Sequence, residues 1–322
     1  MTTEPARGRA GGEAFRHDAY LYAGEDAFLR GIAGFIREAS AAGEPVLVAV
    51  APRKIDLLRA ELRSDADGVV FADMEAVGAN PARIIPLWRD FVDGHAREGL
   101  GVRGVGEPVW PGRGPAELAE CRRHESLLNL AFAGGRPWWL LCPYDTDALP
   151  PSVIADARRT HPSFGSPEGR TTNPDFVDDA AEPFAAVLPA PPAHAVELPF
   201  ALGALDRVRT GVAGYAAAAG LDDRRISDLV LAAHEVATNS VLHGGGAGVL
   251  RIWHDHTEVI CDVRDRGRLG QPLAGRQRPP PDRIDGRGLW LANHLCDLVQ
   301  LRSLPSGTAV RLHVRFGSED PA

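Results

Sequence analysis

Glu235 and Asn239 stand four residues apart in a stretch whose Leu229, Ala232, Ala233, Val236 and Ser240 recur at helical spacing, and which Gly244-Gly245-Gly246 brings to an end. The helix so implied runs from about Asp222 to Leu242. It places a carboxylate and a carboxamide one above the other on one face, with His243 one turn further on. A carboxylate in such a row can orient or deprotonate an attacking hydroxyl. An amide oxygen is a hard ligand suited to Mg²⁺, which keeps waters and substrate phosphates in its remaining positions. The same residue types also decorate ordinary solvated helix faces, so the row takes its meaning from the residues downstream of it.

Two further signals stand there. Val259 to Asp265 reads as a buried strand ending in Asp265 and, two residues on, Gly267. Asp285-Gly286-Arg287-Gly288-Leu289 then opens a helix directly after a Gly-x-Gly, which offers backbone N–H groups and a helix N-terminus to an anion. Gly307-Thr308 lies in a last hairpin.

This ordered set, helix E-x-x-x-N, strand D-x-G, G-x-G before a helix and a terminal Gly-Thr, resembles the Bergerat-fold (GHKL) ATPases, and within them the small anti-sigma-factor serine kinases. The resemblance covers about residues 196–316. It implies an α+β sandwich with helices on one face of a mixed sheet, and ATP with Mg²⁺ as cofactors. By it, Asn239 would hold Mg²⁺, Glu235 would act as base on a substrate hydroxyl, and Asp265 would read the adenine amino group. Gly267 would let the backbone pass the base, Gly286 and Gly288 would cradle phosphates with Arg287 and Leu289 beside them, and Thr308 would touch the adenine side. His243 joins the nucleotide-binding set. The family's usual D-x-G-x-G is altered here: Leu269 replaces its second glycine, and Gly270 comes one place late. Arg268 to Asp285 would form the lid, with Arg268, Arg276, Arg278, Arg283 and the adjoining Arg287 as candidates for bidentate phosphate contacts.

The elements that must carry this site occupy only part of the 322 residues, a length that allows two domains with separate cores. From Phe15 to Asp145 the chain alternates strand and helix in strict turn, which implies an α/β domain with a mainly parallel sheet. Tyr22, Asp73, Glu107 and Tyr144-Asp145 fall at strand ends, where such sheets bind ligands and where ordinary turn caps also stand. The first strand-to-helix junction lacks G-x-x-x-x-G-K-[ST], so it is no P-loop. His17 has no second His or Cys at ligand spacing nearby, and His124-Glu125 lacks an H-E-x-x-H continuation; both read as structural or surface residues.

The H-x-x-x-x-Y near the start, Gly43-Glu-Pro-Val-Leu-Val-Ala-Val50, Phe71-Ala-Asp-Met74, the helix with Glu125 and the Cys142-Pro-Tyr-Asp145 strand end resemble the MEDS sensory domain over about residues 15–162. That resemblance implies a RecA-like fold without phosphate-binding machinery, serving as a signal-input module. Residues 1–14 read as a disordered N-terminus, 163–195 as a linker that is proline-rich at its end, and 317–322 as a tail.

A formal net charge of −8 argues against a general nucleic-acid binder. No apolar run approaches a membrane span, and the N-terminus has no signal-peptide pattern, so the expectation is a cytoplasmic protein. Cys121, Cys142, Cys261 and Cys296 show no C-x-x-C pairing and read as reduced, buried thiols. Together the two resemblances imply a signalling regulator. Its anti-sigma-type domain would phosphorylate Ser or Thr of a STAS-type antagonist and sequester a sigma factor by partner switching, as a homodimer. His194 stands among prolines, which disfavours a histidine-kinase acceptor helix. The alternative is a non-catalytic module that binds ATP or ADP and sequesters a partner.

Overall fold

The computed structural model describes residues 15–95, 101–166, 169–179, 186–280 and 286–317. Its first half follows the expected alternation: β1 (Phe15–Tyr22), α1 (Gly24–Ala41), β2 (Val46–Val50), α2 (Pro52–Leu62), β3 (Val70–Asp73), α3 (Met74–Val77), α4 (Ile84–Gly94), β4 (Arg103–Gly106), α5 (Pro115–Phe132), β5 (Trp138–Asp145) and α6 (Pro151–Thr160). Two short strands, β6 (Ser163–Ser166) and β7 (Gly169–Thr172), complete a sheet of order β3-β2-β4-β5-β1-β6-β7. All its pairings are parallel except β6 with β7. The apolar run of β2 is buried at every position, as a strand covered on both faces must be. Phe28, Ile32 and Leu58 from α1 and α2 build the core on one face. Trp88, Leu127 and Leu128 from α4 and α5 build it on the other.

Two expectations change here. The segment from Ser163 has the composition of a linker, yet its first residues add a hairpin to the sheet edge. Its polar side chains are satisfied by buried Asp18, which accepts from Ser163 Oγ and from Arg170 Nε at 3.0 Å. In sequence Asn80-Pro81 reads as the opening of a helix that runs to about Glu98; the chain instead makes a tight turn, Pro81–Arg83, before α4, and Asn80 Oδ1 caps it by accepting from Ala82 N at 3.1 Å.

The second half comprises β8 (Val196–Ala201), α7 (Leu205–Ala218), α8 (Asp223–His243), β9 (Ala247–His254), β10 (Glu258–Asp265), α9 (Arg287–Leu295), β11 (Leu298–Leu304) and β12 (Gly307–Arg315). The sheet order is β11-β12-β10-β9-β8, with β8 at the edge where Pro199 is tolerated. The sheet is antiparallel in every pairing, not mixed, because each neighbouring pair runs in opposite directions. Val212, Leu229, Ala233 and Val236 on the helices pack onto Ile252, Cys261, Val263 and Leu312 of the sheet. Asp222 starts α8 by accepting from Arg225 N at 2.9 Å, a cap of the kind that contributes about 1 kcal/mol. Among the described residues, no helix is long and apolar enough to cross a membrane.

Candidate functional site

The buried stripe of α8 fixes its rotation on the sheet, and this turns Glu235 and Asn239 to the side where α9 begins. The approach is close. A Cβ on Gly288 would lie 2.9 Å from Glu235 Oε2 and 3.1 Å from Asn239 Nδ2, so only glycine leaves both side chains in place. Gly286, the residue before α9, is left-handed at φ 84°, which glycine adopts without steric cost.

Asp265 ends β10 opposite Thr308 of β12. Its Oδ1 accepts from Gly267 N at 2.8 Å, its Oδ2 from Ser240 Oγ at 2.6 Å, and Thr308 Oγ1 donates to Gly267 O at 2.9 Å. By spacing alone Ser240 is a small member of the helix's apolar stripe. A hydroxyl within an otherwise apolar stripe is the signal that it meets a polar partner.

These residues surround a cavity of about 340 Å³ lined by Asn239, His243, Asp265, Gly267, Gly286, Leu289 and Thr308. Glu235, Arg287 and Gly288 lie outside that lining. Glu235 is reached through the first turn of α9, and Arg287 is exposed. Val236, Leu301 and Val310 give the cavity an apolar floor, and Leu269, in place of the expected glycine, lines it and donates its N–H to Ser303 Oγ at 3.0 Å. The residues present fit a nucleotide. The volume is in the range of small-molecule sites, the floor suits a flat base, and each Asp265 oxygen keeps a lone pair for an amino group. Glu235 offers a carboxylate and Asn239 an amide oxygen at the end where α9 presents its free N–H groups.

The described part of the expected lid, residues 268–280, lines the cavity, with Arg268 and Arg278 among its residues, and is also tied to the first domain. Arg276 is buried and its Nη2 lies 3.0 Å from Glu120 Oε2 on α5; Arg278 pairs with Asp90 at 3.1 Å. Arg302 of β11 also reaches Glu120, at 2.6 Å, and Arg123 at 3.4 Å completes the cluster. Arg123 in turn donates to Pro272 O of the lid at 3.2 Å. Burial alone would raise the Glu120 carboxyl, but Arg123, Arg302 and Arg276 outweigh it and hold the pKa below the ordinary value. Beside this cluster, Asn80 Nδ2 donates to Asn293 O, and Arg83 donates to the carbonyls of Asn293, His294 and Cys296 at the end of α9. The lid and α9, which flank the candidate site, therefore both rest on the first domain. Arg283 lies outside the described residues.

In the first domain, Tyr22, Glu107 and Asp145 line a cavity of about 410 Å³ beyond the strand ends. Lys54 of α2 lies 2.5 Å from Glu107 Oε1, and burial still pushes the Glu107 carboxyl above its ordinary value. Asp73 instead caps α3, accepting from Glu75 N at 2.8 Å. All four cysteines are free and buried, as expected. His17 is no surface residue. It is buried against Glu125, Cys142 and His161, and burial, then the neighbouring His161, push its pKa down.

Comparison with known proteins agrees with this division. Residues 16–162 match the family described as MEthanogen/methylotroph, DcmR Sensory domain (MEDS). Residues 198–314 match the family described as histidine kinase-like ATPase domain. No curated protein matches the chain. Among solved structures, the RsbU and RsbW domains of Rv1364c from Mycobacterium tuberculosis share 22% identity over 37% of this chain and 32% of that one, with a TM-score of 0.29. At that score the likeness carries no argument, and the chain spans about a third of that protein. The chain thus joins a MEDS sensory domain at residues 16–162 to a histidine kinase-like ATPase domain at residues 198–314.

Proposed function

We propose that this protein is a cytoplasmic, homodimeric signalling regulator whose ATPase domain transfers the γ-phosphoryl group of Mg·ATP to Ser or Thr of a STAS-type antagonist and sequesters a sigma factor, under control of a MEDS domain of RecA-like fold. The observation that carries it is a nucleotide-sized cavity lined by Asn239, Asp265, Gly267, Gly286 and Thr308, with Glu235 held beside it against Gly288 of α9. When bound, ATP supplies the transferable phosphoryl group and Mg²⁺ neutralises phosphate charge. Asp265 accepts a hydrogen bond from the adenine amino group, and Ser240 and Gly267 hold its carboxylate for that task. Asn239 holds the metal through its amide oxygen. Glu235 orients the acceptor hydroxyl and takes its proton. Catalysis of this kind is mainly positioning and charge neutralisation.

The non-catalytic alternative draws support from the lid, whose Arg276 is buried in a pair with Glu120 of the sensory domain. In that reading nucleotide is a structural ligand and the partner is held without chemistry.

Calorimetric titration with ADP and a non-hydrolysable ATP analogue, with and without Mg²⁺, tests the site. Wild type is expected to bind in a Mg²⁺-dependent manner that Asn239→Ala loses; absence of binding under every condition overturns the reading. Glu235→Ala is expected to keep nucleotide affinity and to slow phosphoryl transfer to a STAS-type protein by about 10²–10⁴-fold, the range of a lost acid–base group. Transfer by wild type and variant at equal rates removes Glu235 as base, and absent transfer in wild type favours the sequestering module.

A further inference from the structure

Four elements of the sensory domain each deliver one metal-ligating side chain to a single point. His17 comes from β1, Glu125 from α5, Cys142 from β5 and His161 from the residue that follows α6. All four are buried, and their ligand atoms lie within 4.8 Å of one another. Glu125 Oε2 is 3.0 Å from His17 Nε2, 3.3 Å from His161 Nε2 and 3.8 Å from Cys142 Sγ, and Cys142 Sγ is 3.5 Å from His17 Nε2. Tetrahedral zinc, with bonds of about 2.0–2.3 Å, sets ligand separations of roughly 3.3–3.6 Å, so the side chains need only small adjustments around an ion.

The surroundings orient the ligands as a metal site requires. His161 Nδ1 lies 2.8 Å from Ala157 O, a carbonyl that can only accept, so Nδ1 carries the proton and Nε2 presents its lone pair. His17 Nδ1 lies 3.0 Å from Asn129 Oδ1, and Asn129 Nδ2 donates to Thr160 O at 2.9 Å, which fixes the amide with its oxygen toward His17. The Nε2 lone pairs of two imidazoles therefore face a carboxylate oxygen. His161 Nε2 faces Glu125 Oε2 at 3.3 Å, and the buried Tyr144 hydroxyl also hydrogen-bonds Glu125. A proton can bridge one histidine to Glu125. One divalent cation satisfies both histidines, the carboxylate and the thiol together.

We infer that His17, Glu125, Cys142 and His161 form a tetrahedral transition-metal site, with Zn²⁺ the ion their N, O and S donors suit best. Binding converts the Cys142 thiol to thiolate, its proton passing to solvent. Asn129 and the Ala157 carbonyl are its positioning groups. Glu125 lies on α5, the helix whose Glu120 grips Arg276 and Arg302. An ion there would pin that helix from its sheet side.

The test uses the full-length protein, stripped with a chelator and then titrated with Zn²⁺ against a chromophoric chelator, and separately with Co²⁺. One ion per chain is expected, with Co²⁺ giving tetrahedral d–d bands and a near-ultraviolet thiolate-to-cobalt charge-transfer band. Cys142→Ser should abolish that band, Cys261→Ser in the other domain should keep it, and Asn129→Ala should weaken Zn²⁺ binding about 10–100-fold. A wild-type protein that binds no stoichiometric ion, or a band that survives Cys142→Ser, overturns the assignment. Should Cys142→Ser fail to fold by circular dichroism, His161→Gln takes its place, and Co²⁺ d–d bands that this variant leaves unchanged overturn the assignment. The nucleotide site holds no thiol, so this result stands or falls separately from the ATP reading.

Discussion

Glu120→Gln is the change that best separates a working domain interface from a passive one. Its carboxylate is wholly buried and faces the guanidinium groups of Arg123, Arg276 and Arg302, none with a side chain more than 3% exposed. Glutamine keeps the volume and removes the charge, leaving three buried cations without their counter-charge. Breaking a buried pair by removing one partner costs about 3–5 kcal/mol. Here the protein has an escape: separating the domains returns Arg276 and Arg302 to water. The cost therefore appears as a shift of the closed-to-open equilibrium by about two to three and a half powers of ten, at ~1.4 kcal/mol per tenfold. Hydrogen exchange read by mass spectrometry is the assay, comparing lid peptides within 268–280 with β5 as internal reference. Lid exchange should rise strongly while β5 stays protected, and Glu120→Gln/Arg276→Gln should be less perturbed than the sum of its single variants. Unchanged lid exchange together with unchanged thermal stability would refute the claim that Glu120 holds the lid.

Three other outcomes are expected. Gly288→Ala places a methyl 2.9 Å from Glu235 Oε2 and should lower the rate of phosphoryl transfer far more than the melting temperature, as seen in transfer assays and thermal melts run side by side. Gly307→Ala should destabilise the ATPase domain. Its φ is 137° and the new Cβ would lie 1.9 Å from the Asp265 backbone oxygen, so strain of at least ~1–3 kcal/mol should lower the calorimetric melting transition by several degrees. Acid should also open the interface. The Glu120 pKa is lowered in the folded protein, so its contribution is full above the unfolded carboxylate value of ~4.3 and is lost as pH falls through the folded one. Lid exchange corrected for intrinsic rate should accordingly stay flat down to about pH 5 and rise below about pH 4.

The proximity of the residues proposed to hold nucleotide was legible because each part is local. Glu235 and Asn239 share one helix, Asp265 and Gly267 one strand end, and Gly286 and Gly288 one turn, so spacing alone reveals their geometry. The alternation of strands and helices likewise revealed the parallel sheet. What escaped depends on distance along the chain. Arg276 lies 156 residues from Glu120, and a lid rich in arginine looks made for phosphate while the charge of this one arginine is committed to the first domain. His17 lies 108 residues from Glu125 and 125 from Cys142, so no rule of ligand spacing could join them. The Ser163–Thr172 hairpin escaped because its polar composition reads as linker until buried Asp18 is there to receive it.

The cluster at Glu120 also bears on how this protein can be dissected. A fragment holding only the second domain would carry Arg276, Arg302 and the α9 carbonyls of Asn293, His294 and Cys296 to a surface where none has its native partner. Its lid would be untethered, and nucleotide binding measured on it would describe a lid without its contacts to Glu120 and Asp90. The complementary fragment would keep Glu120 beside Arg123 alone. Neither half in isolation is a neutral reference for the whole chain, because what each domain contributes to the other is removed by the cut itself.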